Sequence, residues 1–444
     1  MWKGTPRKFR QLMKTDIFGG ARVSLVATPV NAARLQGIAA DSALEIVELP
    51  FPLAEEEAGG TDEDDFLRVF QALYRLAGPL EAYVRALPQR PSCIISDYCN
   101  PWTAGVARSV GVPRLSFCAS SCFYSLCDLN VSTLSHPKDD DAYTYVVPGM
   151  PVRVEMAEDA WSSSFFTTPA AWVAFMEEAR EGIRTADGAV VNTFLDLEEQ
   201  FVECYEAVLG KPVWTLGPFF LHGHGGVQQQ EEKAAAVTAW LDAMDDGAVT
   251  YVNFGSVVRM PPEQLCEVGH GLEDSGTPFL WVVKEAETTT AAEQSWLRAL
   301  QARTAGRGLV MRGWAPQLAI LAHPAVGGFV THCGWNSMLE SLAHGVPLLT
   351  WPQFADQFLN ERLAVDVLGV GVPACSVFAR RGDVAPAVLE LMGAGEVAQE
   401  RRRKAKEYGE RAGIAMRKGG SSYENLTKLM QSFTTPAAME PRES

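Results

Sequence analysis

Basic side chains are in short supply in this 444-residue sequence. Thirty-eight lysines and arginines face 54 aspartates and glutamates, a formal net charge of −16. That balance disfavours nucleic acid and anionic membrane as partners, because both are held by positive surfaces. No apolar run reaches the ~18–20 residues that a spanning helix requires, so no integral membrane segment is expected. The opening stretch Met1–Asp16 is basic but has neither the apolar core nor the small-residue cleavage site of a secretory signal, which points to the cytoplasm. The nine cysteines are scattered, without a C-x-x-C pair or neighbouring histidines, which argues for reduced thiols and against a zinc site. Histidine is also sparse, and none precedes His136.

What the sequence does have is βα alternation on both sides of one break. Ala21–Ala27, Ala43–Leu49, Ser92–Ser96, Val112–Phe117, Gly188–Asn192 and Pro212–Leu216 read as strands, with Phe66–Leu87, Pro101–Val110, Thr168–Arg184 and Asp196–Leu209 as helices between them. The stretch Cys118–Trp161 reads as a Pro-interrupted loop. The Gly- and Gln-rich run from His222 to Gln230 marks a linker. Its His222 and His224 read as polar filler, and the acidic runs Asp62–Asp65 and Asp139–Asp141 as solvated loops; no metal is expected. The resulting division is an atypical segment 1–20, a truncated Rossmann-like domain 21–220, a linker 221–234, a second Rossmann-like domain 235–420, and a C-terminal helix and tail 421–444.

Trp314–Gln357 carries the densest chemistry. Two buried-strand runs, Gly327–Thr331 and Val346–Trp351, flank a helical pattern over Asn336–Ala343, which makes a βαβ unit with ligand positions at the strands' carboxyl ends. The turn His332-Cys333-Gly334-Trp335-Asn336-Ser337 opens that helix. Its unpaired N–H groups and positive dipole end suit a diphosphate, and Gly334 allows close backbone approach. Glu340 shares a helix face with Ser337 and is placed to accept from ribose hydroxyls, although Ser337-x-x-Glu340 is equally the pattern of a capping box. Trp314 can stack on a base, and Asp356 with Gln357 can hold hydroxyls. Gly255-Ser256, after the strand Val249–Phe254, is a second loop of phosphate-approach type.

The whole stretch, from W-A-P-Q through H-C-G-W-N-S to the closing D-Q, resembles the signature box of plant family 1 UDP-glycosyltransferases. The likeness extends from about Ala21 to Phe433 and includes Val190–Glu198 and Trp214–Pro218. It implies an α/β fold of two Rossmann-like domains facing across a cleft (GT-B type), the N-terminal one incomplete here. It implies a UDP-glucose-dependent, inverting, metal-independent transfer of glucose to a hydroxyl of a small acceptor such as a phenolic, flavonoid or terpenoid, by a monomer without cofactor. The resemblance also implies roles: Trp314 and Ala315 with Gln317 at uracil and ribose, Glu340 at the ribose hydroxyls, and Ser256, His332, Gly334, Asn336 and Ser337 at the diphosphate. Asp356 and Gln357 fall at the sugar, where Gln357 suggests glucose over galactose, and Trp335 in place of arginine argues against glucuronate.

One part of the family pattern does not appear. The family's base is a histidine after its first strand, oriented by an aspartate at the position of Asp97. Here that strand and histidine are replaced by residues 1–20, whose sequence resembles nothing in the family. Asp97, at a strand's carboxyl end before a helix, is either a site residue or an ordinary cap. Two functions therefore stand side by side: a glucosyltransferase, and a UDP-sugar-binding chain impaired in transfer.

Overall fold

The computed structural model describes residues 22–29, 31–33, 35, 44–50, 63–132, 144–165, 167, 169–222, 228–257, 259–374 and 378–434. Its strands, in chain order, are β1 (Val23–Ala27), β2 (Leu44–Glu48), β3 (Ile94–Asp97), β4 (Arg114–Cys118), β5 (Thr144–Val147), β6 (Val154–Ala157), β7 (Gly188–Val191) and β8 (Val213–Thr215). They continue with β9 (Val249–Asn253), β10 (Phe279–Val283), β11 (Gly308–Arg312), β12 (Val326–Thr331), β13 (Leu348–Thr350) and β14 (Gly371–Pro373). Two compact units divide the chain. One comprises Met1–Thr133, Phe166–Gly223 and Ile414–Ser444, the other Leu134–Phe165 and His224–Gly413.

The second unit holds a six-stranded sheet in the order β11-β10-β9-β12-β13-β14. Counted within the sheet this is 3-2-1-4-5-6, with every pairing parallel. Such an order follows from right-handed βαβ crossovers wound first one way and then the other from β9. Both faces are covered, which is why β10 and β12 are continuous apolar runs, buried at every position. Val252, Trp281, Val330, Leu349 and Trp351 pack with Leu265, Val268 and Leu272 of helix Pro262–Ser275 and Val384 and Val388 of helix Arg381–Met392. Each such side chain contributes ~1.5–3 kcal/mol by leaving water. The winding reverses between β9 and β12, so the loops after Asn253 and Thr331 open at the position where doubly wound sheets bind ligands.

The first unit holds a four-stranded parallel sheet, β3-β4-β7-β8, and a separate parallel pair, β1–β2. Strands β4 and β7 are buried throughout, whereas β1 alternates half-buried and exposed positions. That is scant cover for a parallel strand, a type normally packed on both faces. The chain re-enters this unit at its end. In helix Ser421–Thr434, Leu426 and Leu429 pack with Leu115, Phe117 and Leu216, Ser422 Oγ donates to the Gly217 carbonyl (2.6 Å), and Asn425 Nδ2 donates to Thr215 Oγ1 (3.0 Å).

Several sequence expectations need correction. Residues 134–165 do not stay with 21–220 but join the second unit. The physical reason is a hydrogen-bonded contact: Ser163 Oγ accepts from the Ala355 N–H (3.1 Å), and Ser164 Oγ donates to the Ala355 carbonyl (3.0 Å). Cys118–Trp161 is not all loop, since it contains helix Cys122–Val131 and the antiparallel hairpin β5–β6. The linker 221–234 is shorter than its composition suggests, because helix Gln228–Leu241 starts inside it. The boundary at 420 moves to Ile414, within helix Glu396–Ala415. The single helix Phe66–Leu87 is two helices, Glu63–Leu73 and Ala77–Ala86, joined by a 3-10 turn. Residues 1–20, Asp139–Asp141 and His224 lie outside the described residues.

Candidate functional site

At the switch point the loops after β9 and β12 close on one imidazole. Gly255 has φ +73°, and a Cβ there would lie 2.5 Å from His332 Cε1; a Cβ on Gly334 would lie 2.5 Å from His332 Nε2. Both loops therefore require glycine for the ring to fit between them. Burial, helped by the Lys284 charge, lowers the His332 pKa to about 3, so the ring is neutral at physiological pH. Its Nδ1 is buried without a hydrogen-bond partner among the described residues. Cys333, next in line, has φ +62° without being glycine, and its carbonyl accepts from Asn360 Nδ2 (3.0 Å). Left-handed backbone on a non-glycine costs roughly 1–3 kcal/mol and tends to mark functional turns.

Helix Trp335–Ala343 starts with Gly334 as its N-cap, and no side chain caps it. The capping-box reading of Ser337 and Glu340 is thereby removed, and the helix's first N–H groups have no intrahelical acceptor. Gln317 ties Glu340 to the neighbouring strand instead. Its Nε2 donates to Glu340 Oε2 (2.8 Å) and to Ser337 Oγ (3.2 Å), while its Oε1 accepts from Asn253 Nδ2 (2.9 Å) and the Tyr251 hydroxyl (3.2 Å). Asn253 Oδ1 in turn accepts from the Gly255 N–H (3.0 Å), so one network spans both loops. Trp314, beside Gly313 at φ +81°, is 47 % exposed, an unusual state for an indole and a suitable one for stacking on a base.

Asp356 and Gln357 follow Ala355, another left-handed non-glycine at φ +55°. Gln357 Oε1 accepts from the N–H groups of Gln353 (2.9 Å) and Phe354 (3.2 Å), which orients the amide and turns Nε2 into its remaining donor. Asp356 Oδ2 accepts from Asn360 Nδ2 (3.0 Å), the same amide that holds the Cys333 carbonyl. One asparagine thus links the loop of His332 to that of Asp356.

Comparison with known proteins gives this arrangement its family. The model of the UDP-glucoronosyl and UDP-glucosyl transferase family matches residues 204–394. UDP-glycosyltransferase 73C3 of Arabidopsis thaliana is 37 % identical over 93 % of this chain and 90 % of its own length. This chain belongs to the plant UDP-glycosyltransferases. Among solved structures, Glycyrrhiza uralensis UGT73P12, complexed with glycyrrhetinic acid 3-O-monoglucuronide, is 31 % identical with a TM-score of 0.84, covering 96 % of this chain and 92 % of that one. Medicago truncatula UGT71G1, complexed with UDP-glucose, is 25 % identical with a TM-score of 0.81, covering 96 % and 94 %. The fold is therefore the two-domain α/β type of plant UDP-glycosyltransferases, which use a UDP-sugar as donor substrate and no cofactor.

Within this UDP-glycosyltransferase the remaining expected residues divide by burial. The side chains of Trp335 (2 % exposed) and Ala315 (7 %) are buried, like those of Asp356 and Gln357. Ser256 is exposed in the loop after β9. Sequence reasoning missed Asn253 and Lys284. Lys284 follows the end of β10, and its charge is among the causes that lower the His332 pKa. The Lys284 ammonium is buried and makes no hydrogen bond; its nearest carboxylate, Glu287, stands 3.6 Å away with its oxygens already accepting from the N–H groups of Met260 and Lys284. Burial lowers the Lys284 pKa. A lone lysine after a strand has no motif; only its depth and its lone ion pair with Glu287 mark it.

Asp97, in the other unit, ends β3. Its Oδ1 accepts from the Cys99 N–H (2.9 Å), and burial raises its pKa to about 6. That lies above the ordinary carboxylate value of about 4.

Proposed function

We propose that the chain binds UDP-glucose in its six-stranded unit and transfers glucose, with inversion and without a metal, to a hydroxyl of a small plant metabolite of phenolic, flavonoid or terpenoid type. A monomer in the cytoplasm is part of the same reading. The observation that carries it is the neutral His332 ring held between Gly255 and Gly334 at an uncapped helix start. A diphosphate seated there meets backbone N–H groups and the helix dipole, with Ser256, Asn336 and Ser337 as further donors. Glu340, oriented by Gln317, takes the ribose hydroxyls, and Trp314 stacks on uracil. Asp356 and the Gln357 amide take the sugar hydroxyls.

The chemistry requires an acceptor oxygen to attack the anomeric carbon from the face opposite UDP while losing its proton. The departing diphosphate is stabilised by the dipole and donors that bound it, which cost no reorganisation at that moment. Proton removal requires a base, for which the sequence offers Asp97. A second reading has support of its own: the Asp97 carboxylate is bonded within its own turn, and β1 is poorly covered. On that reading the chain holds UDP-glucose and transfers it slowly.

Two measurements separate these. Calorimetric titration with UDP and UDP-glucose tests the donor site, and absence of any response to millimolar UDP defeats both readings. An acceptor panel with UDP-glucose then tests transfer, run beside a chain carrying a histidine-bearing βα unit ahead of β1. Comparable turnover by the two supports full activity, and turnover gained only with the added unit supports the second reading.

A further inference from the structure

We propose that Ser163 and Ser164 are positioning residues for the sugar end of the donor site, acting by holding Ala355 in its left-handed conformation. This rests on the reading of Asp356 and Gln357 as sugar ligands. Ala355 precedes that pair and sits at φ +55°, where an L side chain meets steric opposition that glycine does not. Something must hold it there. The Ala355 N–H donates to Ser163 Oγ at 3.1 Å, and Ser164 Oγ donates to the Ala355 carbonyl at 3.0 Å. Both polar groups of one strained peptide residue are thus satisfied by adjacent hydroxyls of one helix, and Ser164 and Ala355 are almost wholly buried.

The clamp is itself anchored. Helix Glu158–Phe165 is only eight residues long, but Trp161 stacks on Tyr145 of β5 at 5.0 Å and meets Phe165 edge-on at 4.8 Å. The hairpin, the helix and the Ala355 loop form one packed piece of the second unit. Relaxation of Ala355 to negative φ rotates the peptide that leads into Asp356, and with it the two side chains directed at the sugar. The uracil and ribose contacts of Trp314, Gln317 and Glu340 lie on other loops, and the His332 loop is joined to this one through the Asn360 amide, which also holds the Cys333 carbonyl. The consequence is selective: the serines support recognition of the glucosyl group far more than recognition of UDP.

The test compares the Kd for UDP-glucose with the Kd for UDP by calorimetry in four proteins: the wild type, Ala355→Gly, Ser163→Ala/Ser164→Ala, and the triple variant combining all three substitutions. The double variant is expected to raise the ratio of the two constants about tenfold, as for lost hydrogen bonds to the sugar, with the UDP constant within about twofold of wild type. Glycine adopts φ +55° unaided, so the triple variant should recover much of the lost discrimination. An unchanged ratio in the double variant overturns the proposal. So does parallel weakening of UDP and UDP-glucose, which is the mark of a general structural defect. Absence of recovery by glycine overturns it too, because the left-handed residue is then not what the serines maintain. A wild type that binds UDP-glucose no differently when Gln357 is replaced by alanine refutes the underlying sugar assignment instead, independently of the serines.

Discussion

Gln317 donates through Nε2 to Glu340 Oε2 at 2.8 Å, and its Oε1 accepts from Asn253 on the neighbouring strand. Glu340 is therefore held in one orientation rather than sampling several. Replacing Glu340 by alanine removes a charged acceptor and also frees Gln317. Hydrogen bonds to a charged group contribute ~1.5–3 kcal/mol, so UDP affinity should fall by at least about tenfold. The thermal stabilisation given by millimolar UDP should shrink accordingly. A Glu340→Ala protein that UDP stabilises as well as wild type contradicts the ribose assignment.

The Lys284 ammonium is buried without a hydrogen bond among the described residues, and its charge acts on the His332 ring. Lys284→Gln should weaken UDP by roughly tenfold or more and leave uridine, which carries no phosphate, nearly unchanged. The pH dependence has a definite sign. Burial lowers the pKa of Lys284, so its proton is lost at a lower pH than from a free lysine, and UDP affinity should decline as pH rises toward the ordinary lysine range. Equal loss of UDP and uridine in Lys284→Gln indicates a packing role and rules out phosphate contact.

Much of this arrangement was legible in the sequence, and the limits were physical. Strands β9, β10 and β12 announce themselves because a parallel sheet covered on both faces demands unbroken apolar runs. His332, Gly334 and Glu340 are legible because a strand, a glycine turn and a helix start occur in immediate succession. The 3-2-1-4-5-6 order is not, since local pattern says nothing of which strand lies beside which. Asn253 and Lys284 acquire meaning only through that order, which sets the ends of β9 and β10 beside the His332 turn. Chain order does not show that residues 144–165 pack with the second unit; there the hydroxyls of Ser163 and Ser164 bond the Ala355 backbone. The raised pKa of Asp97 was hidden for a related reason: burial is a property of the assembled sheet and not of the tetrapeptide around it.

His332 should be silent in ligand binding and visible in stability. Its folded pKa of about 3 lies below the ordinary value near 6.5, so UDP affinity should show no inflection between pH 5 and 8 from this group. The unfolded chain, by contrast, takes up the proton as pH falls through about 6.5. The stability associated with the neutral buried ring is therefore present above that pH and is lost progressively as pH falls toward 3. His332→Gln lacks this term, and its fall in Tm from pH 8 to pH 5 should be smaller than that of wild type. Identical falls in the two proteins would show that the ring is not buried neutral.

Asp97 makes the opposite prediction, because its pKa is raised. With a folded value of about 6 against about 4 unfolded, its stabilising contribution is present below pH 4 and is lost as pH rises through 6. Asp97→Asn should therefore raise Tm at pH 7, by an amount corresponding to about 2 kcal/mol at most once partial exposure is allowed for, and should change nothing at pH 4. Transfer gives the complementary signature. If the ionised carboxylate removes the acceptor proton, turnover with weakly acidic phenols should climb with pH through about 6, and Asp97→Asn should abolish it. Acidic nitrophenols, already ionised near neutrality, need no base and should keep most of their rate in the variant. The quantity to measure is the ratio of wild-type to variant kcat/KM across phenols of graded acidity. A ratio that grows as the phenol becomes less acidic assigns Asp97 the proton. An equal ratio across the series means that Asp97 only supports the fold of β3 and its turn.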